Sequence, residues 1–139
     1  MKKFELVADS FVEVFGRKLF RIRALVSFGS VAAGETGGYI EREENLAHAG
    51  DAWVYGDARV YGDAQVYGDA QIVWFSKVGS ENGTLTVCRA KTGLFVSRGC
   101  FAGTDVEFLA KVDAVHGADS KIGREYHMLI EVARSRIGV

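Results

Sequence analysis

The sequence predicts an α+β, mainly β protein. It consists of a short left-handed β-helix of hexapeptide repeats, with an N-terminal β-hairpin before it and a C-terminal β-hairpin plus two helices after it. Three observations predict this fold class. Residues 50–73 repeat a six-residue unit four times, strand-like alternation flanks the repeat, and the last third carries two apolar stripes at helical spacing. With 139 residues we expect one compact domain, in which 1–49 form the N-terminal strands and cap, 50–73 the coil, and 74–139 the remaining strands and helices.

Composition and charge exclude several classes of protein. The chain is 48% hydrophobic and 25% charged, which is typical of globular domains and excludes wholesale disorder and a coiled coil. A formal net charge of −1 excludes a nucleic-acid binder that relies on bulk positive charge. No apolar run approaches the roughly 20 residues of a membrane span, and no signal-peptide core follows the basic start. Two cysteines fit a reducing cytosol, so we expect a cytoplasmic protein without a membrane partner.

The N-terminal hairpin is predicted over residues 4–25, with its turn around 16–18. Alternate side chains of a strand point to one face, which places Arg17, Arg21 and Arg23 together with Leu19 on one face of the second strand. Such a face is either a solvated, charged edge or an anion-binding strip. After the hairpin, Ile40 and Leu46 are six residues apart, and we expect them in an irregular first coil that caps the β-helix.

The repeat reads GDAWVY GDARVY GDAQVY GDAQIV. In each unit an alanine stands two residues before a branched aliphatic residue, so both side chains point inward from a short strand. Gly-Asp provides the corner, because glycine tolerates positive φ and aspartate bonds its own backbone in turns. A coil takes about 18 residues over three faces, which places Tyr55, Tyr61 and Tyr67 in a ring around it. The two open ends of so short a coil need caps, so we expect a homo-oligomer.

Beyond residue 73 the pattern predicts antiparallel strands with turns at 79–83 and 91–93. Cys88 and Cys100 are expected to be packed as small apolar residues. A first helix begins at the capping box Thr104–Glu107 and ends at His116–Gly117; its predicted apolar stripe comprises Val106, Phe108, Leu109, Val112 and Val115. A second helix runs from Asp119 or Ser120 to about Arg136. Its predicted inner face comprises Ile122, Tyr126, Leu129, Ile130, Ala133 and Ile137, and its outer face Arg124, His127, Glu131 and Arg134.

The string GRKLFRIRALVSFG…GGYIEREENLAHAGDAWVYGDARVYGDA resembles a family of bacteriophage and prophage hexapeptide-repeat proteins. Members carry a similar LFRIxAL segment, a GGYIE or GGWIE box, an ENL and a run of WVYGxAxVYGxA. The tail from SKVGSENGTLTV onward is also similar to theirs, so the resemblance covers about Gly16 to Ile137. It implies a phage-associated protein with a left-handed β-helix, of a kind often labelled as transferases because acyltransferases share the repeat. No settled catalytic set exists to carry over.

Candidate chemistry is sparse. A hexapeptide-repeat acyltransferase would use a histidine as general base, with His48, His116 and His127 as candidates, and Cys100 with His116 is a conceivable nucleophile pair. The histidine and cysteine spacing matches no zinc motif, and the corner aspartates fit turn chemistry rather than calcium binding. We predict no catalytic residue, metal or cofactor.

Binding is the remaining prediction, and it depends on a segment that is either an ordinary capped strand–helix junction or an anion site. The segment 98–104 runs from a strand through two glycines into a helix N-terminus, where backbone N–H groups attract anions and an arginine can clamp a phosphate. Together with the arginine face and the tyrosines, it predicts a pocket for an anionic aromatic ligand such as a nucleotide. The candidate ligand-binding residues are Arg17, Arg21, Arg23, Tyr55, Tyr61, Arg98, Gly99, Thr104, Arg124 and His127.

These observations predict a non-enzymatic phage accessory or counter-defence protein. It would bind and sequester a small anionic, nucleotide-derived signal of bacterial immunity. Two alternatives remain open: an inhibitor that binds a host defence protein, of anti-CRISPR or anti-restriction type, and the hexapeptide-repeat acyltransferase. The expected partner is therefore a small nucleotide-like ligand or a host defence protein.

Overall fold

The computed structural model describes residues 2–68 and 71–138, which form two four-stranded sheets and two α-helices. The first sheet contains β1 (Phe4–Val14), β2 (Arg17–Ala24), β3 (Thr36–Ile40) and β4 (Arg59–Val60) in that order. Its first two pairs are antiparallel, and β3 and β4 are parallel. The second sheet is an antiparallel meander of β5 (Ile72–Val78), β6 (Gly83–Arg89), β7 (Leu94–Arg98) and β8 (Phe101–Gly103). The helices are α1 (Asp105–His116) and α2 (Lys121–Ile137), and a single 3₁₀ turn spans Glu43–Asn45.

The predicted left-handed β-helix is wrong. In the described part of residues 50–73, regular pairing is limited to β4, the start of β5 and single bridges at Ala64 and Val66. In a β-helix each unit stacks on the unit one full coil, about 18 residues, later. With four units of six residues, only the fourth could stack on the first. The units pair outward instead. One side contacts residues 39–46 in parallel and the other bridges to Ala90, so the repeat joins the two sheets.

The inward orientation of the small and branched residues in the repeat is nevertheless confirmed. The described members are all buried, namely Ala52, Val54, Ala58, Val60, Ala64, Val66 and Ile72; Ala70 lies outside the described residues. Residues 37–39, against which they pack, lie unusually close to the repeat. A Cβ added at Gly38 would lie 2.6 Å from the carbonyl oxygen of Ala58 and 2.8 Å from Val54 Cγ1. Only glycine permits this contact, so GGY at 37–39 is part of the packing of the repeat.

The glycine corners of the repeat are held by side chains from outside it. Gly50, Gly56 and Gly62 have φ of 73°, 54° and 61°, as predicted for the turns, and the carbonyl of each accepts a side-chain hydrogen bond. The donors are Lys3 to Gly50 at 3.3 Å, Arg21 to Gly56 at 3.0 Å and Arg42 to Gly62 at 2.8 Å. Lys3 also donates to the carbonyl of Ala52 at 2.6 Å, and burial lowers the pKa of its ammonium group. These bonds replace the strand ladder that the repeat lacks.

The N-terminal hairpin is confirmed, but the predicted arginine face is wrong. The turn is Phe15–Gly16, and a register irregularity in the β2–β3 pairing lies between Arg21 and Arg23. Arg21 pairs with Tyr39 and Arg23 with Thr36, so the extra residue of this irregularity lies in β3. In β2, Leu19 and Ile22 are both buried, and the three arginines of the predicted face meet different partners.

The second sheet and both helices agree with the predicted elements. Thr104 and Glu107 form the capping box of α1, and Ser120 caps α2. Of the predicted α2 inner face, Tyr126, Ile130, Ala133 and Ile137 are buried, and Ile122 and Leu129 are partly buried. The α1 stripe is narrower than predicted, because Val106 and Val115 are exposed. No helix in residues 2–68 and 71–138 is long and apolar enough to span a bilayer.

The two cysteines differ. Cys88 is buried in the core, as predicted, whereas the prediction of a packed Cys100 is wrong because that residue is exposed in the turn before β8.

Candidate functional site

An open groove of about 910 Å³, which we call the main groove, lies in the described part of the chain. It lies where the tip of the β1–β2 hairpin, residues 61–63, the β7–β8 turn and α1 meet. Charged and aromatic residues from separate segments of the sequence line it, among them Arg17, Tyr61, Phe95, Arg98, Phe101 and Lys111. The groove thus contains residues from both sheets.

Tyr61 anchors the floor of the groove. Its side chain is 2% exposed, its ring meets Phe95 edge to face at a centroid distance of 5.1 Å, and its hydroxyl donates to the carbonyl of Phe101 at 3.4 Å. Burial raises the pKa of Tyr61, so the hydroxyl is protonated at neutral pH. The tyrosines of the first and third repeat units do not line the main groove: Tyr55 stacks on Trp74, and Tyr67 is exposed. The predicted ring of equivalent tyrosines is therefore wrong.

Arg17 lies at the mouth of the groove with a partner of its own. Its Nη1 is 3.1 Å from Glu41 Oε1, and its guanidinium carbon is 5.9 Å from the centroid of Tyr61. Glu41 also accepts the backbone N–H of Gly62 at 3.1 Å. The carboxylate offsets part of the positive charge that Arg17 brings, and it fixes the arginine beside the tyrosine ring.

Arg98 is oriented by contacts that leave its charge unpaired. Its Nε donates to the Tyr126 hydroxyl at 3.0 Å and its Nη2 to the carbonyl of Val78 at 3.3 Å. The guanidinium lies so close to Gly83 that an added Cβ there would be 2.5 Å from Nη1. Among the described residues no carboxylate forms an ion pair with Arg98, so a positioned cation borders the groove.

The helix N-terminus beside the groove is already satisfied. Thr104 Oγ1 accepts the backbone N–H of Glu107 at 3.1 Å, and Glu107 Oε1 accepts the backbone N–H of Thr104 at 2.9 Å. A carboxylate thus occupies the position at which an external anion was predicted to bind. Thr104 and Gly99 border the main groove, but the predicted anion site at the start of α1 is wrong.

The other half of the predicted site does not border the main groove. Arg21 donates to the carbonyls of Gly37 and Gly56, and Arg23 pairs with Glu5 at 2.7 Å. On the helices, His127 contacts Asp113 at 2.7 Å. Arg124 is exposed and lines neither cavity. Arg17, Tyr61, Arg98, Gly99 and Thr104 are brought together; Arg21, Arg23, Tyr55, Arg124 and His127 are not.

Several groove residues were missed by the sequence reasoning. Phe15 is 82% exposed at the rim and has a φ of 48°, a conformation that is strained for an aromatic residue. A signal existed, because the turn glycine of a two-residue hairpin usually follows Asn, Asp or Gly rather than Phe. No local signal in the sequence marks Phe101 or Lys111 as residues of the groove.

The groove also contains a cysteine and a histidine. The exposed Cys100 and His116 both border it, whereas His48 stacks on Phe4 at the other end of the first core. Within residues 2–68 and 71–138, no cluster of three or more histidine, cysteine, aspartate or glutamate side chains is placed to hold a metal ion.

Comparison with known proteins gives no family. No protein-family model matches the chain, and no curated protein is significantly similar to it.

Proposed function

We propose that this chain is a non-enzymatic binding protein that captures a small anionic aromatic ligand, of nucleotide type, in the main groove. The observation that carries the proposal is the convergence of Arg17, Tyr61 and Arg98, from three distant parts of the sequence, on one cavity. Its volume of about 910 Å³ falls at the upper end of the range of small-molecule sites, roughly 300–1,000 Å³.

The aromatic walls favour a flat ligand. Tyr61 and Phe95 are buried in the wall of the groove, at 2% and 7% exposure, so the rings that a ligand can reach are the partly buried Phe101 of the lining and Phe15, which stands exposed at the rim. Rings of this kind stack on nucleobases with little sequence preference, at about 1–3 kcal/mol per base. A ligand that covers the exposed Phe15 ring would remove its apolar surface from water, which favours binding.

The charges favour an anionic group at one end. Arg98 and Lys111 border the groove, and neither forms an ion pair with a described carboxylate. Three acidic residues also line the groove: Glu107 is engaged by the helix cap, and Asp63 and Glu81 form no ion pair within the described residues, so the anionic group is assigned to the surroundings of Arg98 and Lys111 and not to the groove as a whole. Charge-assisted hydrogen bonds from such cations contribute roughly 1.5–3 kcal/mol each.

The proposed role of this capture is removal of a nucleotide signal of bacterial immunity in the host cytoplasm. That part rests on the sequence resemblance to phage proteins, and sequestration needs only tight binding without turnover. A homo-oligomer would increase the number of sites per assembly.

The first test is thermal unfolding with a panel of 5′-ribonucleotides and cyclic dinucleotides. Ligand binding to the folded state raises the melting temperature by mass action. The Lys111→Glu variant should lose most of that rise, whereas Lys121→Glu, on an exposed lysine outside the groove, should keep it. No rise with any compound would contradict the proposal.

The second test uses the two thiols. Burial raises the pKa of Cys88, so iodoacetamide should alkylate only Cys100 in the folded protein. A nucleotide in the main groove should slow that alkylation, which mass spectrometry measures directly. An unchanged rate at saturating nucleotide would place the ligand elsewhere.

Binding to a host defence protein is the second candidate, and the exposed Phe15 favours it. Apolar aromatic residues at an exposed tip are typical anchors of protein interfaces. Under this alternative, a Phe15→Ala variant would lose a co-purifying host protein while no nucleotide shifts the melting temperature. An acetyl-CoA turnover assay tests the acyltransferase alternative.

A further inference from the structure

A second, smaller cavity of about 280 Å³ lies next to the main groove, and we call it the small cavity. It is bordered by Tyr39 and Asp57 of the first half of the chain, by residues 82–84 of the β5–β6 turn, and by Arg59, Arg98 and Gly99. Arg98 and Gly99 line both cavities, and the turn at 79–83 stands between them, with Ser80 and Glu81 facing the main groove. A single ligand can therefore reach both across Arg98.

The small cavity has an excess of positive charge. The backbone of Arg59 is hydrogen-bonded: its N–H donates to Thr86 Oγ1 at 3.1 Å, and its carbonyl accepts from Ser97 Oγ at 2.8 Å. Within the described residues its guanidinium forms no ion pair. The acidic residue of the lining, Asp57, is 3.5 Å from Arg21, so that charge is already balanced from outside the cavity.

Arg98 is held in the orientation such a site requires. Tyr126 and the carbonyl of Val78 occupy Nε and one N–H of Nη2, while Nη1 forms no hydrogen bond within the described part of the chain and lies against Gly83. A guanidinium fixed in this way loses little conformational entropy when it binds an anion, and it can bind a phosphate through two N–H groups.

We infer that the small cavity is the phosphate subsite of the ligand whose aromatic ring lies in the main groove, with Arg59 and Arg98 as the phosphate-binding residues. This inference rests on the proposed function and names its ligand class: a phosphorylated nucleoside, with the base against Phe101 and a phosphate group bound by the two arginines that border the small cavity. Unphosphorylated nucleosides bind the same groove more weakly.

Isothermal titration calorimetry tests the inference with paired probes. AMP, GMP, CMP and UMP are compared with adenosine, guanosine, cytidine and uridine on the wild-type chain and on Arg59→Gln. The wild type should bind the tightest nucleotide about tenfold or more tightly than its nucleoside, and Arg59→Gln should remove that difference while leaving nucleoside affinity within about twofold. The control Arg124→Gln, on an exposed arginine outside both cavities, should behave as wild type.

A second variant covers the case in which Arg59→Gln fails to fold. Thr84→Glu introduces a carboxylate at the edge of the small cavity and should remove the same preference for the nucleotide. If the ratio of nucleotide affinity to nucleoside affinity is the same in wild type, Arg59→Gln and Thr84→Glu, the subsite is overturned, whereas ligand binding in the main groove remains supported. Absence of binding by all eight probes would instead overturn the proposed function, and the subsite with it.

Discussion

The two hydrophobic cores of this chain are built in different ways. The first core packs the repeat, the N-terminal hairpin and β3 around Trp53, and much of it lacks regular pairing. The second core packs one face of a four-stranded meander against α1 and α2. Both bury their apolar side chains fully, so the difference lies in how the backbone polar groups are satisfied.

In the second core most backbone groups are satisfied by the ladders and helices, and side chains add bonds only at element ends, such as that from Arg98 to the carbonyl of Val78 and those of the two helix caps. In the first core, individual side chains supply the missing donors: Lys3, Arg21, Arg42 and Asn45 all donate to carbonyls in or beside the repeat. A buried carbonyl that loses its donor costs roughly 1–3 kcal/mol. Single polar residues should therefore matter more in the first core than in the second, which depends on a larger number of equivalent bonds.

The largest expected effect is that of Gly38→Ala. The added Cβ meets the Ala58 carbonyl, which is itself held because it accepts the N–H of Tyr39 at 2.9 Å. Neither neighbour can move without breaking the contact between β3 and the repeat, so we expect a loss of about 3 kcal/mol in the free energy of unfolding. Urea denaturation measures it.

The matched control for that substitution is Gly68→Ala. Among the described residues a Cβ there meets only Gln71, at an ordinary distance of 3.8 Å, and the free energy of unfolding should change by less than about 0.5 kcal/mol. Equal losses at both glycines would show that close packing is not what distinguishes the first core.

Arg21→Gln is expected to have an intermediate effect. Its guanidinium donates to the carbonyls of Gly37 and Gly56 at 2.8 and 3.0 Å, and losing both should cost about 2 kcal/mol. Arg23→Gln breaks only an exposed pair with Glu5 and should cost well under 1 kcal/mol. Denaturation of both variants, with nucleotide affinity as a second readout, separates a structural arginine from a ligand-binding one; a loss of affinity without loss of stability in Arg21→Gln would contradict the structural role.

An effect smaller than that of Arg21→Gln is expected at a helix cap in the second core. Thr104→Ala removes the side-chain acceptor for the Glu107 N–H and should reduce the free energy of unfolding by about 1 kcal/mol. Thr92→Ala, on an exposed turn threonine, serves as the control. If Thr104→Ala were as destabilising as Arg21→Gln, the contrast between the two cores would fail.

Local patterns in the sequence predicted much of the fold. Capping residues Thr104 and Ser120 mark the helix starts, because their hydroxyls accept backbone N–H groups within one turn. The Gly-Asp corners and the inward residues of the repeat follow from glycine conformation and strand alternation. These signals are local, and they remain valid even though the β-helix was wrong.

Features that depend on distant partners were not predictable in this way. The arginines of β2 do not act as one strip because each meets a different partner: Glu41 for Arg17, the carbonyls of Gly37 and Gly56 for Arg21, and Glu5 for Arg23. Val106 and Val115 lie on a predicted stripe but are exposed, because the sheet and α2 cover only a narrow face of α1. In the candidate site the sequence identified Arg17, Tyr61 and Arg98, whereas Phe101 and Lys111 enter the groove only through the way the second sheet and α1 meet the first half of the chain.

The sequence by itself determined where the turns and the two helices begin and which repeat residues point inward, since these depend on φ preferences, capping and side-chain alternation within a few residues. Only the tertiary structure decided what the repeat packs against and which arginines remain unpaired. Both depend on contacts between segments that are far apart in the sequence. Arg21 and Arg59 are the same residue type in the sequence. Arg21 donates to the backbone of the repeat, whereas the guanidinium of Arg59 borders the small cavity and forms no ion pair within the described residues.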